Sequence, residues 1–198
     1  MRALLSFAIL MTSGCALFGR NQEIERASSP DRRFTVRAVE SANPLRICYE
    51  IVSAMTGKPV HRIPGSYQPD SGADDWDWNL SKQAKIFWSS DSRFVVVDEQ
   101  VYRFAGYVQI VEMGDLARTI DLPEIPIPQP GKNWERWRIR VDKGWVSKNE
   151  LSLVVAGTVP AEKLDDGRQT SQRVEKHFLV AIRKGAAVIV RVSDPEDA

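Results

Sequence analysis

From Pro30 onward the apolar positions fall in short runs of three to six residues, each bounded by polar turn residues. The runs are Phe34-Thr35-Val36, Ile47 to Val52, Ala84 to Trp88, Phe94 to Val97, Tyr107 to Val111, Trp137 to Val141, Leu151 to Val155, Phe178 to Ile182 and Ala187 to Val192. They are rich in β-branched and aromatic residues, which suit a pleated, half-buried surface. No window longer than about ten residues carries the 3.6-residue period of an amphipathic helix. Thr56-Gly57-Lys58, Met113-Gly114-Asp115 and Lys184-Gly185 stand where hairpin turns belong. The pattern predicts one all-β, antiparallel domain over residues 30–198.

Three stretches resemble one another. Trp88-Ser89-Ser90-Asp91-Ser92-Arg93-Phe94-Val95-Val96-Val97 matches Ser28-Ser29-Pro30-Asp31-Arg32-Arg33-Phe34-Thr35-Val36. The run from Trp145 to Leu153 is a weaker third copy, which places Phe34, Phe94 and Leu151 at spacings of 60 and 57. Glu50-Ile51-Val52 recurs as Gln109-Ile110-Val111, 59 residues later. Each copy is a tight Ser/Asp turn that feeds a strand whose first large apolar residue enters the core. The motif resembles the blade signature of β-propellers of the WD-repeat and Tol-associated type. That resemblance implies blade-like antiparallel sheets. Three units fall short of the four blades that a closed ring usually needs, so the expectation is an open three-unit wedge or a sandwich. Leu122 to Gly131, with alternating Pro126, Pro128 and Pro130, is a stiff connector between the second and third units. Thr158 to Lys176 reads as a polar insertion within the third.

The N-terminus follows another pattern. Arg2 precedes a nine-residue apolar stretch, Ala3 to Met11, and Thr12-Ser13-Gly14-Cys15 comes next. Nine residues are too few to span a bilayer, which takes about 20, but suit a signal segment. The arrangement resembles the lipobox of bacterial lipoproteins. The resemblance implies removal of residues 1–14 and lipidation of Cys15. It also implies anchorage in the cell envelope, with the outer membrane expected in a Gram-negative host because Ala16, not Asp, follows the cysteine. Two or three acyl chains hold a protein stably, since each buried CH₂ adds about 0.8 kcal/mol. Residues 15–29 are then the lipidated cysteine and a polar tether.

Composition sharpens this picture by exclusion. The 198 residues carry 27 Lys plus Arg and 26 Asp plus Glu, a net charge of +1. Loss of the signal segment with Arg2 takes that to zero, so anchorage must come from lipid. A neutral chain lacks the basic footprint of a nucleic-acid binder. Two cysteines build neither a disulfide scaffold nor a four-cysteine metal site. His61 and His177 are the only imidazoles, and neither sits in a hydrolase or metalloprotease motif. The expectation is a non-enzymatic binding or scaffold domain with no cofactor or metal and with an envelope protein as partner. A carbohydrate-binding or carbohydrate-active protein is the alternative. Its site would be the acidic-aromatic stretch around Asp74, Asp75, Trp76, Asp77 and Trp78, where flat rings beside carboxylates suit sugar stacking. Arg136, Arg138 and Arg140 alternate with apolar residues and form an outer basic stripe, expected to face water or to pair across the strand with acids such as Asp98, Glu99 or Glu112, with lipid phosphates or an acidic partner as the alternative.

Overall fold

The computed structural model describes residues 22–40, 46–67, 84–101, 105–125, 136–163 and 169–194. Twelve strands fill these segments. The first sheet contains β1 (Gln22–Ser28), β2 (Phe34–Glu40), β3 (Arg46–Ser53) and β4 (Pro59–Tyr67). The second contains β5 (Ala84–Trp88), β6 (Phe94–Val101), β7 (Ala105–Glu112) and β8 (Arg118–Ile120). The third contains β9 (Arg136–Ser147), β10 (Glu150–Lys163), β11 (Gln169–Arg183) and β12 (Ala186–Ser193). Each sheet is an antiparallel meander in chain order, and none closes into a barrel. The all-β, three-unit expectation therefore holds.

The sheets stack face to face, and the second is the middle layer. Val36, Ala38, Tyr49, Ile51 and Ile63 of the first sheet pack on Ile86, Val95, Val97 and Val111 of the second. On its other face, Phe94, Val96, Val108 and Ile110 pack on Leu153, Val155, Phe178 and Val180 of the third. A strand covered on both faces has no solvent side, so its sequence loses the polar alternation of a surface strand. That explains the unbroken run Phe94 to Val97. Each fully buried aliphatic side chain here stabilises the fold by roughly 1.5–3 kcal/mol.

The same strand buries two carboxylates in succession. Asp98 and Glu99 are 2 % and 0 % exposed. Because neighbours on a strand face opposite ways, they serve different layers. Asp98 Oδ2 accepts the Val141 backbone N–H at 3.1 Å, towards the third sheet. Glu99 Oε1 accepts the Tyr49 hydroxyl at 3.1 Å, towards the first. Burial, together with the Glu99 charge, pushes the Tyr49 phenol well above its ordinary range.

Several expectations need correction. Gln22–Ser28, read as the end of a polar tether, is β1. Its polar composition suits a strand at a sheet edge, with one side unpaired. β4 and β8 carry no apolar run of their own and are held by pairing with β3 and β7. The expected insertion at 158–176 is, in its described parts, the continuation of β10 and β11, paired from Thr158↔Arg173 to Lys163↔Gln169. The third copy of the repeat also shifts. The Arg33 and Arg93 carbonyls accept from Ala54 and Met113, and the Asn149 carbonyl accepts from Ile182 in the same place. Phe34 and Phe94 therefore correspond to Glu150, and Leu151 corresponds to Val95. The cause is a turn of two residues, Lys148-Asn149, where the other sheets have five, 29–33 and 89–93.

Candidate functional site

The meander places every described hairpin turn at one pole of the stack. The first two sheets open on the same turn. Ser29 Oγ donates to Asp31 Oδ1 at 2.7 Å, and that oxygen accepts the Arg33 backbone N–H at 3.0 Å. Ser89, Asp91 and Arg93 repeat these bonds at 2.8 and 3.2 Å. Arg32 and Ser92 both have φ of 58°, the left-handed conformation that lets a short loop reverse. Burial alone would raise the Asp31 pKa. The Ser29 hydroxyl, the Arg33 backbone N–H and the Arg33 guanidinium outweigh it and hold it at about 2.

Beneath the turns, a tryptophan from each later sheet locks onto the sheet before it. Trp88 stacks on Phe34 at 6.4 Å, and its indole N–H donates to the Ala27 carbonyl at 3.1 Å. Trp145 stacks on Phe94 at 5.5 Å and donates to the Phe87 carbonyl at 3.0 Å. Arg33 and Arg93 lie over the same two phenyl rings, at 5.6 and 5.2 Å. The short third turn would put Trp145 one residue out of place. A bulge at Val146, between the pairs Glu150↔Ser147 and Leu151↔Trp145, restores it. The series ends at both extremes of the stack, because Ser28 stands where a first tryptophan would be and Glu150 where a third phenylalanine would be.

Above the second lock lies a pocket of about 180 Å³, lined by Arg93, Glu112, Lys148, Asn149, Lys184 and Gly185, with Asp91 at its wall. Glu112 accepts from Arg93 Nη2 at 2.9 Å and from Arg118 Nε at 2.9 Å. Burial would raise its pKa, but the hydrogen bonds and charges of Arg118 and Arg93 outweigh that and lower it. The Arg118 guanidinium rests on Gly185, where any Cβ would collide with it. Beside the lock, a larger cleft of about 510 Å³ exposes parts of Trp88 and Trp145 together with Phe87, Lys143 and Gly144.

A third cluster sits on the outer face of the third sheet. His177 Nδ1 lies 3.1 Å from Asp142 Oδ2, and its Nε2 lies 3.4 Å from Glu175 Oε1. Ser152 Oγ donates to Asp142 Oδ2 at 3.2 Å. A hydroxyl, an imidazole and a carboxylate meet here, but the carboxylate is the hub. A nucleophile needs its hydroxyl on the base, and Ser152 bonds to Asp142 rather than to His177. Arg140 lies 3.9 Å from Glu175. The acids expected to pair with the arginine stripe are engaged elsewhere: Asp98 and Glu99 inside the stack, Glu112 with Arg93 and Arg118.

Cys15, Asp74, Asp75, Trp76, Asp77 and Trp78 lie outside the described residues. Cys48 is half-buried on β3. Among the described residues, no three His, Cys, Asp or Glu side chains are placed to share a metal ion. Sequence reasoning missed the junction pocket, because its lining comes from two sheets and no run of sequence contains it. It could have found half of the His177 cluster, since Glu175 and His177 are two apart on a strand and share a face. No protein-family model matches the chain, and no curated protein matches it.

Proposed function

We propose that this protein is a lipid-anchored, non-enzymatic component of the bacterial cell envelope, whose three-sheet domain binds or scaffolds another envelope protein. The observation that carries the reading is the N-terminal order of Arg2, an apolar stretch and Thr12-Ser13-Gly14-Cys15. Acylation of Cys15 would tie the chain to a membrane, with the outer membrane facing the periplasm as the proposed site. The fold agrees with this use. The chain enters β1 at the pole opposite the hairpin turns, so an anchored domain would present its turns outward. Edge strand β12 offers Val188, Val190 and Val192 partly to solvent, and an unpaired strand edge is a template for a partner's strand.

Fatty-acid labelling in a bacterial host tests the anchor. The wild-type chain should take up label and sediment with membranes, and Cys15→Ala should do neither. Unlabelled wild-type protein in the soluble fraction would overturn the reading.

A further inference from the structure

The two junctions between sheets are built on one plan, so the first serves as an internal control for the second. At the first, the buried Ser92 hydroxyl accepts the Asp31 backbone N–H at 3.1 Å and closes the space between neighbouring turns. At the second, the position before the equivalent turn carbonyl is Lys148, which is exposed and leaves that space open. The later hairpin turn changes in the same sense. The second sheet presents Asp115 and Leu116 there, and the third presents Lys184 and Gly185. Gly185 has no side chain and a φ of 77°, which gives the Arg118 guanidinium room to lie over the turn.

The substitutions all add positive charge or space. Three cations, Arg93, Lys148 and Lys184, line the pocket with two carboxylates, Asp91 and Glu112, and a fourth, Arg118, pairs with Glu112 from beside it. Both carboxylates are already engaged, Asp91 by its own turn and Glu112 by the two arginines. Among the described residues, neither lysine has an ion-pair partner. Packing does not require two lysines there, since the first junction is held without them. With Arg118 neutralising Glu112 alongside Arg93, the cluster as a whole carries two positive charges more than negative ones, which suits a dianion.

We propose that the pocket between the second and third sheets binds a phosphate group, with Lys148 and Lys184 as its ammonium donors and Arg93 as the guanidinium behind them. Two ammonium groups and a guanidinium supply charge-assisted hydrogen bonds to three oxygens. The group could be free phosphate or the phosphate of a small monoester, and the chemistry of recognition is the same. The site does not depend on the lipid anchor.

Calorimetric titration of the protein with inorganic phosphate, methyl phosphate and acetate tests this at about pH 8, where phosphate is a dianion, and at equal ionic strength. The comparison protein is the double variant Lys148→Ser, Lys184→Asp, which restores the residues of the first junction. Both positions are exposed turn residues, and an unchanged thermal midpoint will show that the variant is folded. Wild type should saturate with inorganic phosphate or methyl phosphate below about 10 mM, and the variant should bind about tenfold more weakly or not at all. Preference for inorganic phosphate would identify the free ion as the ligand, and equal or tighter binding of methyl phosphate would identify a monoester. No saturation by wild type, equal binding by the variant, or acetate binding as tight as phosphate would overturn the assignment.

Discussion

The two junctions of the stack share one lock and differ in what lies over it. In both, a tryptophan stacks on a phenylalanine of the preceding sheet and donates to one of its backbone carbonyls. In both, an arginine covers the phenylalanine. Above that, the first junction is sealed by a serine hydroxyl and the second is opened by two lysines and a glycine. The shared part is apolar and indole-donating, as the burial of a sheet face requires. The divergent part is charge at the surface, where stability places little demand and binding can be specified.

The locks can be compared by removing their phenylalanines. Phe94 is 2 % exposed and Phe34 only half-buried. Phe94→Ala should lose about 3–5 kcal/mol and Phe34→Ala clearly less, read as urea midpoints. Equal losses would mean that the junctions carry the same load.

A smaller effect separates the buried stitches. The first junction uses a side-chain donor, Tyr49 to Glu99, and the second a backbone donor, Val141 to Asp98. Tyr49→Phe should destabilise by about 1–3 kcal/mol, because it withdraws a donor from a buried carboxylate. A loss below about 0.5 kcal/mol would show that the remaining contacts of Glu99 suffice, and that the first junction does not depend on the tyrosine donor.

The smallest effect is on pH dependence at the first turn. The Asp31 carboxyl is held at about 2, below its ordinary 3.8. The ionised group therefore stabilises the fold above about pH 3.8, and this contribution fades as pH falls towards 2. Asp31→Asn should be less stable than wild type at neutral pH, by under about 1 kcal/mol at this solvent-screened site. The difference should vanish near pH 2. A gap that persists there in acid unfolding curves would mean that the turn depends on the shape of the side chain rather than its charge.

The serine–aspartate turns were readable in advance because the bonds that shape each one are local: Ser29, Asp31 and Arg33 lie within five residues. The tryptophan repeat was readable as a spacing, but its partners were not, since Trp145 meets Phe94 and Phe87 from more than fifty residues away. β4 and β8 escaped notice because neither has an apolar run. Asp98 and Glu99 misled most, since two adjacent acids read as surface and both lie inside a doubly covered strand.

The sequence by itself determined the fold class, the middle strand's apolar run, the first two turns and the lipobox-like N-terminus. Each of these is a short-range pattern, set by the two-residue period of a strand, the hydrogen bonding of a turn or the length of an apolar stretch. Only the tertiary structure decided which acids are buried, how a bulge at Val146 returns Trp145 to its phenylalanine, and that Lys148 and Lys184 share a pocket with Arg93. Those outcomes depend on which sheet covers which face, and that is fixed by contacts between residues far apart in the chain.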